Sequence, residues 1–122
     1  MMQKIIDSLT FCKFIDSYEI LEYFNEDTTK LIKIKAKLNN STTLYIRELI
    51  QPDNCKYSYH WQNENNEMIL RWDNAPHFPS VSTFPHHLHR GNEVTSSYRV
   101  FIEEVLSEIK NYLYSESKLG AG

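Results

Sequence analysis

All five histidines of the chain fall between positions 60 and 89: His60, His77, His86, His87 and His89. Imidazole titrates near neutrality, moves protons in either direction and binds metals. The same stretch carries Arg71-Trp72-Asp73-Asn74, followed by Pro76, Pro79 and Pro85. Guanidinium, carboxylate and imidazole side by side can support three chemistries. The first is metal-independent cleavage of RNA, which needs a base for the 2′-hydroxyl, an acid for the leaving oxygen and a cation for the phosphorane. His60 or a loop histidine, Asp73, and Arg47 or Arg71 would fill those roles, with no cofactor. The second is metal-assisted hydrolysis of DNA or nucleotides, with Asp73, His77, His86, His87 and His89 as ligands for zinc or manganese. Their spacing matches no standard zinc motif. The third is binding alone, in which the stretch grips an anionic partner.

Each residue also has a plainer reading. Trp72 and Phe84 read first as core anchors, because large aromatics dominate burial. Arg71 and Asp73 could be a surface ion pair of little energetic weight. Asn74, ahead of Ala75-Pro76, could simply set a turn. Lys33, Lys35 and Lys37 could be the wet face of a strand. In the RNA reading these lysines hold phosphates, and Asn74 and Tyr59 join them in binding substrate.

The elements that would position these groups follow from periodicity. Ile5, Ile6, Leu9 and Cys12 have helical spacing, so residues 2–13 read as a short amphipathic helix. Residues 14–24 are rich in β-branched and aromatic types and read as a strand. Ile32, Ile34, Ala36 and Leu38 alternate with Lys33, Lys35 and Lys37, a period of two that buries one face of a strand over 31–38. Asn39-Asn40-Ser41 turns the chain, and residues 42–50 return. Residues 55–62 and 67–73 form the next pair. Tyr57, Tyr59 and Trp61 share one face of it, and Ser58, His60 and Gln62 the other. A two-residue turn at Asn65-Asn66 sets His60 opposite Arg71 and Ser58 opposite Asp73, a four-residue loop slides the pairing by two, and both keep His60, Arg71 and Asp73 on one side. The prolines make 74–92 a structured loop. Residues 97–114 form a helix capped by Ser97, with Phe101 or Ile102, Val105, Ile109 and Leu113 as its apolar stripe. The predicted class is α+β: an antiparallel meander of about five strands with the N-terminal and C-terminal helices packed on one face.

At 122 residues the chain is one domain, with 115–122 expected as an unstructured tail. Net charge is −3, so any positive potential for nucleic acid must be local. Cys12 and Cys55 are isolated and read as buried thiols in a reducing compartment. The N-terminus has no signal-peptide pattern and no segment is apolar for the length of a membrane span, which points to the cytoplasm.

Tyr57-Ser-Tyr-His-Trp-Gln62, Arg71-Trp-Asp-Asn-Ala-Pro-His77 and Thr83-Phe-Pro-His-His-Leu-His89 resemble the TumE family of small toxins from TumE–TumA toxin–antitoxin modules. The resemblance spans nearly the whole chain. It extends to Arg47-Glu48, which sits where relatives carry an Arg-Glu pair, and to Glu93. It implies a growth-inhibiting toxin neutralised by a cognate antitoxin with a helix-turn-helix domain. It also adds Glu48 to the candidate catalytic set beside Arg47. Nuclease action on RNA is the reading of the residues themselves, and a non-catalytic toxin that blocks a host protein, through surface aromatics such as Tyr45 or Tyr98, is its rival. Self-association into a homo-oligomer stays open. Glu103, Glu104 and Glu108 on the last helix are expected to face a basic antitoxin segment.

Overall fold

The computed structural model describes residues 2–121. Its elements in chain order are α1 (Met2–Thr10), β1 (Ile15–Glu26), β2 (Thr29–Leu38), β3 (Thr43–Gln51), β4 (Asn54–Gln62), β5 (Met68–Asp73), β6 (His87–Arg90), β7 (Glu93–Ser96) and α2 (Ile102–Ala121). The strands form one antiparallel sheet in sequence order, a pure meander. The α+β class and the helices on one face are as the periodicity predicts.

The sheet has seven strands rather than five, because the end of the expected loop and the unassigned residues between it and the expected helix form a further hairpin. Three prolines made 74–92 read as loop, yet a proline excludes only its own N–H from a ladder. The last of them, Pro85, lies just before β6. Gly91 then takes φ +60 in the tight turn to β7, a conformation that needs no compensation at glycine. Helix α2 accordingly begins at Ile102, not at residue 97, and Ser97 does not cap it. The Ser97 N–H instead bonds Thr83 Oγ1 at 2.8 Å. The cap comes from Glu104, whose carboxylate accepts the Phe101 N–H at 3.3 Å, half of a capping box. The helix carries the segment expected as an unstructured tail on to Ala121; Gly122 lies outside the described residues.

One face of the sheet is apolar. Ile32, Ile34, Ala36, Leu38, Leu44, Ile46, Tyr57, Tyr59, Trp61, Leu70 and Trp72 are buried on it. They meet Ile5 and Leu9 of α1 and Ile102, Val105, Leu106 and Ile109 of α2. Each fully buried aliphatic side chain contributes about 1.5–3 kcal/mol, so burial against this face is the main hold on both helices, with a Lys4–Glu103 ion pair at 3.2 Å joining them. Leu113 is half-buried, whereas Phe101 and Phe84 are largely exposed; Phe84 is therefore no core anchor. Cys12 and Cys55 are free and half-buried rather than buried.

The opposite face of β2–β6 is polar, and the meander turns its alternation into rows. Lys33, Arg47, Ser58, Asp73 and His87 stand side by side across five neighbouring strands. Lys35, Tyr45, His60, Arg71 and His89 form the adjacent row. The β4–β5 pairing sets His60 opposite Arg71 and Ser58 opposite Asp73, the first of the two expected registers, but through a different turn. The Asn63 N–H bonds Glu67 O at 2.9 Å, with Asn66 left-handed at φ 64. A bulge between Trp61 and Gln62 then brings the strands back into the predicted register.

Candidate functional site

The two rows converge at their β5–β6 end. Asp73 lies opposite His87, and Arg71 opposite His89, so the four side chains stand on one face of two paired strands. Strand neighbours of this kind lie about 4.5–5.5 Å apart at Cβ, close enough for direct contact. His87 Nε2 is 3.0 Å from Asp73 Oδ1, and His89 Nε2 is 3.6 Å from Asp73 Oδ2. The two Nε2 atoms are 3.0 Å apart. Asp73 and His87 are buried and His89 is half-buried. Asp73 is further held by the Ala75 N–H, which donates to Oδ1 at 2.9 Å. Arg71 Nε donates to Oδ2, also at 2.9 Å.

Arg71 links this centre to His60, its NH1 donating to His60 Nδ1 at 3.2 Å. His60 Nε2 therefore carries the ring hydrogen and donates it to Gln62 Oε1 at 3.1 Å. Burial, and then the charge of Arg71, push the His60 pKa below its usual value, so the ring is neutral near pH 7 and disposed to accept a proton. Burial is also the first cause of the lowered pKa of His89; Asp73 opposes it.

The loop between β5 and β6 closes over the face. Phe78 packs edge-on against His87 and His89, with ring centres 4.9 and 5.4 Å away. Thr83 anchors this loop by donating to His86 O and accepting the Ser97 N–H. Two open cavities flank the centre. One of about 640 Å³ is bordered by Arg47, Ser58, Arg71, Asp73 and His77. The other, of about 510 Å³, is bordered by Lys33, Tyr45, Arg47, His60 and Arg71. Arg47 and Arg71 border both.

The remaining predicted site residues are placed differently. His77 is exposed on the rim of the larger cavity, away from the Asp73 cluster. His86 is one residue out of phase with His87 and His89, which directs it to the other face. There its Nδ1 hydrogen-bonds the Tyr57 hydroxyl at 2.8 Å. Of the five predicted metal ligands, only Asp73, His87 and His89 bring ligand atoms within 4.8 Å of one another. Glu48 and Tyr59 also lie on the helix side, where Tyr59 donates to the Glu48 carboxylate at 2.6 Å. Neither Glu48 nor Tyr59 reaches the cluster. Asn74 has both ends of its amide engaged by the β4 backbone. It accepts the Tyr57 N–H at 3.0 Å and donates to Cys55 O at 2.6 Å. Lys33 pairs with Glu22 at 3.1 Å, and Lys35 stands 6.0 Å over the Tyr45 ring. Lys37 is exposed. Glu103, Glu104 and Glu108 are exposed on α2, across the sheet from the cluster.

Sequence reasoning missed Ser58, Phe78 and Arg99. Ser58 could have been found, because it shares the strand phase of His60. Phe78 gave no signal. Arg99 sits 3.9 Å over the Tyr57 ring and 4.1 Å over the Phe101 ring and donates to the Tyr59 hydroxyl at 3.2 Å. It closes the helix side of the sheet, and burial pushes the Tyr57 pKa up to about 12.

The family model described as Toxin TumE matches residues 2–113. The chain belongs to the TumE toxin family. Membership makes it the toxin of a toxin–antitoxin module, with a cognate antitoxin as partner. No curated protein and no solved structure matches the chain. The match spans all seven strands and both polar rows of this TumE-family toxin. Among its described residues no helix is long and apolar enough to cross a membrane.

Proposed function

We propose that this toxin is a nuclease acting in the cytoplasm, cleaving RNA phosphodiester bonds on the polar face of the sheet. One observation carries the reading: Lys33, Lys35, Arg47 and Arg71 lie in two rows that end at Asp73, His87 and His89. A polyanion is held by cations spaced along its backbone, and a net charge of −3 makes such local grouping necessary. Neighbouring strands are about 4.8 Å apart, so each row offers a track roughly 19 Å long over four strand intervals. Tyr45 supplies an aromatic face beside that track, as base stacking requires.

Arg47 and Arg71, which border both cavities, would bind the scissile phosphate and stabilise its transition-state charge. The attacking oxygen forms its bond to phosphorus as the bond from phosphorus to the leaving ribose oxygen breaks. The proton of the attacking hydroxyl passes to His60, whose Nδ1 is freed as Arg71 turns onto the phosphate. The leaving oxygen is protonated from solvent. Asp73 orients Arg71, and His87 and His89 in turn hold the Asp73 carboxylate in place.

The test is direct. Purified toxin is incubated with single-stranded RNA, with and without Mn²⁺ or Zn²⁺, and with single-stranded DNA in parallel. RNA fragments from the wild type and little cleavage by Arg71→Ala are expected. Intact RNA in every condition, from a preparation that still arrests growth on expression, would overturn the proposal.

A further inference from the structure

We infer that Asp73, His87 and His89 form a binding site for one first-row divalent transition ion of the zinc and manganese class. The inference rests on the nuclease reading for its purpose, but the binding it asserts is measured independently.

The hydrogen count comes first. His87 Nδ1 lies 2.9 Å from Pro85 O. A carbonyl only accepts, so Nδ1 carries a hydrogen and Nε2 is the nitrogen turned toward the cluster. Nε2 faces Asp73 Oδ1 at 3.0 Å, and a carboxylate only accepts. His89 Nε2 reaches the same place, 3.0 Å from His87 Nε2. A proton on His87 Nε2 or a metal ion among the three groups would each satisfy these contacts, and metal titration separates the two. What favours the ion is geometry: one ligand atom from each of Asp73, His87 and His89 lies within 4.8 Å of the others. The Pro85 carbonyl fixing the far nitrogen of His87 is the outer-shell arrangement that metal-ligating histidines use.

The distances agree with that reading. Bonds of about 2.0–2.2 Å at tetrahedral or octahedral angles hold neighbouring ligand atoms roughly 2.8–3.6 Å apart. His87 Nε2 is 3.0 Å from both Asp73 Oδ1 and His89 Nε2, and His89 Nε2 is 3.6 Å from the other carboxylate oxygen, Oδ2. The ligands are also rigid. Two come from alternate positions of β6 and one from the directly paired position of β5, with Phe78 packed on both rings. Asp73 is oriented from outside by Ala75 N–H and Arg71 Nε, as ligating carboxylates are.

The donor set selects the ion. Two imidazoles and one carboxylate suit zinc, manganese, iron or cobalt and give too few oxygens for calcium. Three protein ligands leave positions open, which is the pattern of catalytic rather than structural sites. Asp73 borders the larger cavity, beside the phosphate-binding arginines. An ion held there would take a phosphate oxygen or water into its open positions and lower the pKa of that water toward neutrality.

The experiment uses the full chain stripped with a chelator and titrated with Co²⁺, read by visible absorption, and with Zn²⁺, read by calorimetry. One ion per chain is expected, with a ligand-field band from Co²⁺. His87→Ala and His89→Ala should each bind at least 10-fold more weakly, and His86→Ala should bind as the wild type does. Circular dichroism checks the variants. His89, with 19 % of its side chain accessible, provides a test should the buried His87 variant fail to fold. A wild type that takes up neither ion, or a folded His89→Ala that binds as tightly as the wild type, overturns the inference. RNA cleavage by a protein that binds no ion would overturn the metal site and leave the nuclease standing. A bound ion in a protein that cuts no RNA does the reverse.

Discussion

Asp73 and His87 face each other directly across the β5–β6 ladder, and their side chains meet at 3.0 Å on the side of the sheet away from both helices. Residues fourteen apart in sequence thereby become nearest neighbours, and the loop joining them folds back as their cover. The electrostatics of the polar face follow from this contact, because Asp73 also fixes Arg71, and Arg71 fixes His60.

Arg71→Lys tests that chain of contacts. Lysine keeps the charge but loses the planar fork that reaches Asp73 and His60 together. RNA cleavage should fall by about 10²–10³, as when a transition-state donor is removed, while folding is little changed. Comparing cleavage rates at matched circular dichroism spectra provides the measurement, and a rate within threefold of wild type would count against the role of Arg71.

The pH dependence of stability has a defined sign. His60 is held below its ordinary value, first by burial and then by Arg71. The unfolded chain takes up this proton near pH 6.5, the folded chain only at lower pH. Between those values the unfolded state binds more protons, so acid favours unfolding. The contribution is complete above about pH 6.5 and is lost as pH falls through the folded value. Urea midpoints in chelator at about pH 7.5 and about pH 5 should show a smaller acid loss in His60→Gln than in the wild type.

Trp61 is the largest fully buried side chain. Its Nε1 donates to Thr42 Oγ1 at 2.9 Å, and its ring meets Tyr112 of α2 edge-on at 5.0 Å. Trp61→Ala should destabilise the fold by about 3–5 kcal/mol through cavity formation. Urea denaturation measures this. A loss below about 1 kcal/mol would mean that α2 closes the gap.

Asn74→Ala separates a structural from a substrate-binding role. The amide substitutes for a strand partner at Tyr57 N and Cys55 O. Its removal should lower stability by about 1–3 kcal/mol, the cost of open backbone groups. RNA affinity, measured by fluorescence anisotropy on the folded protein, should stay near the wild-type value.

The sequence by itself determined the strands β1 to β5, both helices, and which side chains share each face, because a period of two or 3.6 is a local property that burial of one face enforces. It also set His60, Arg71 and Asp73 on one face in either of two registers, and the structure selects the one that pairs His60 with Arg71. The β6–β7 hairpin was hidden behind three prolines, although Gly91-Asn92 marked its turn. What only the tertiary structure decided was which imidazoles meet. His86, His87 and His89 are equivalent in composition, but strand phase sends His86 to Tyr57 and brings the other two to Asp73. That phase is fixed by the pairing of β6 with β5, a long-range choice made by burial of Trp72 and Leu88 on the far side.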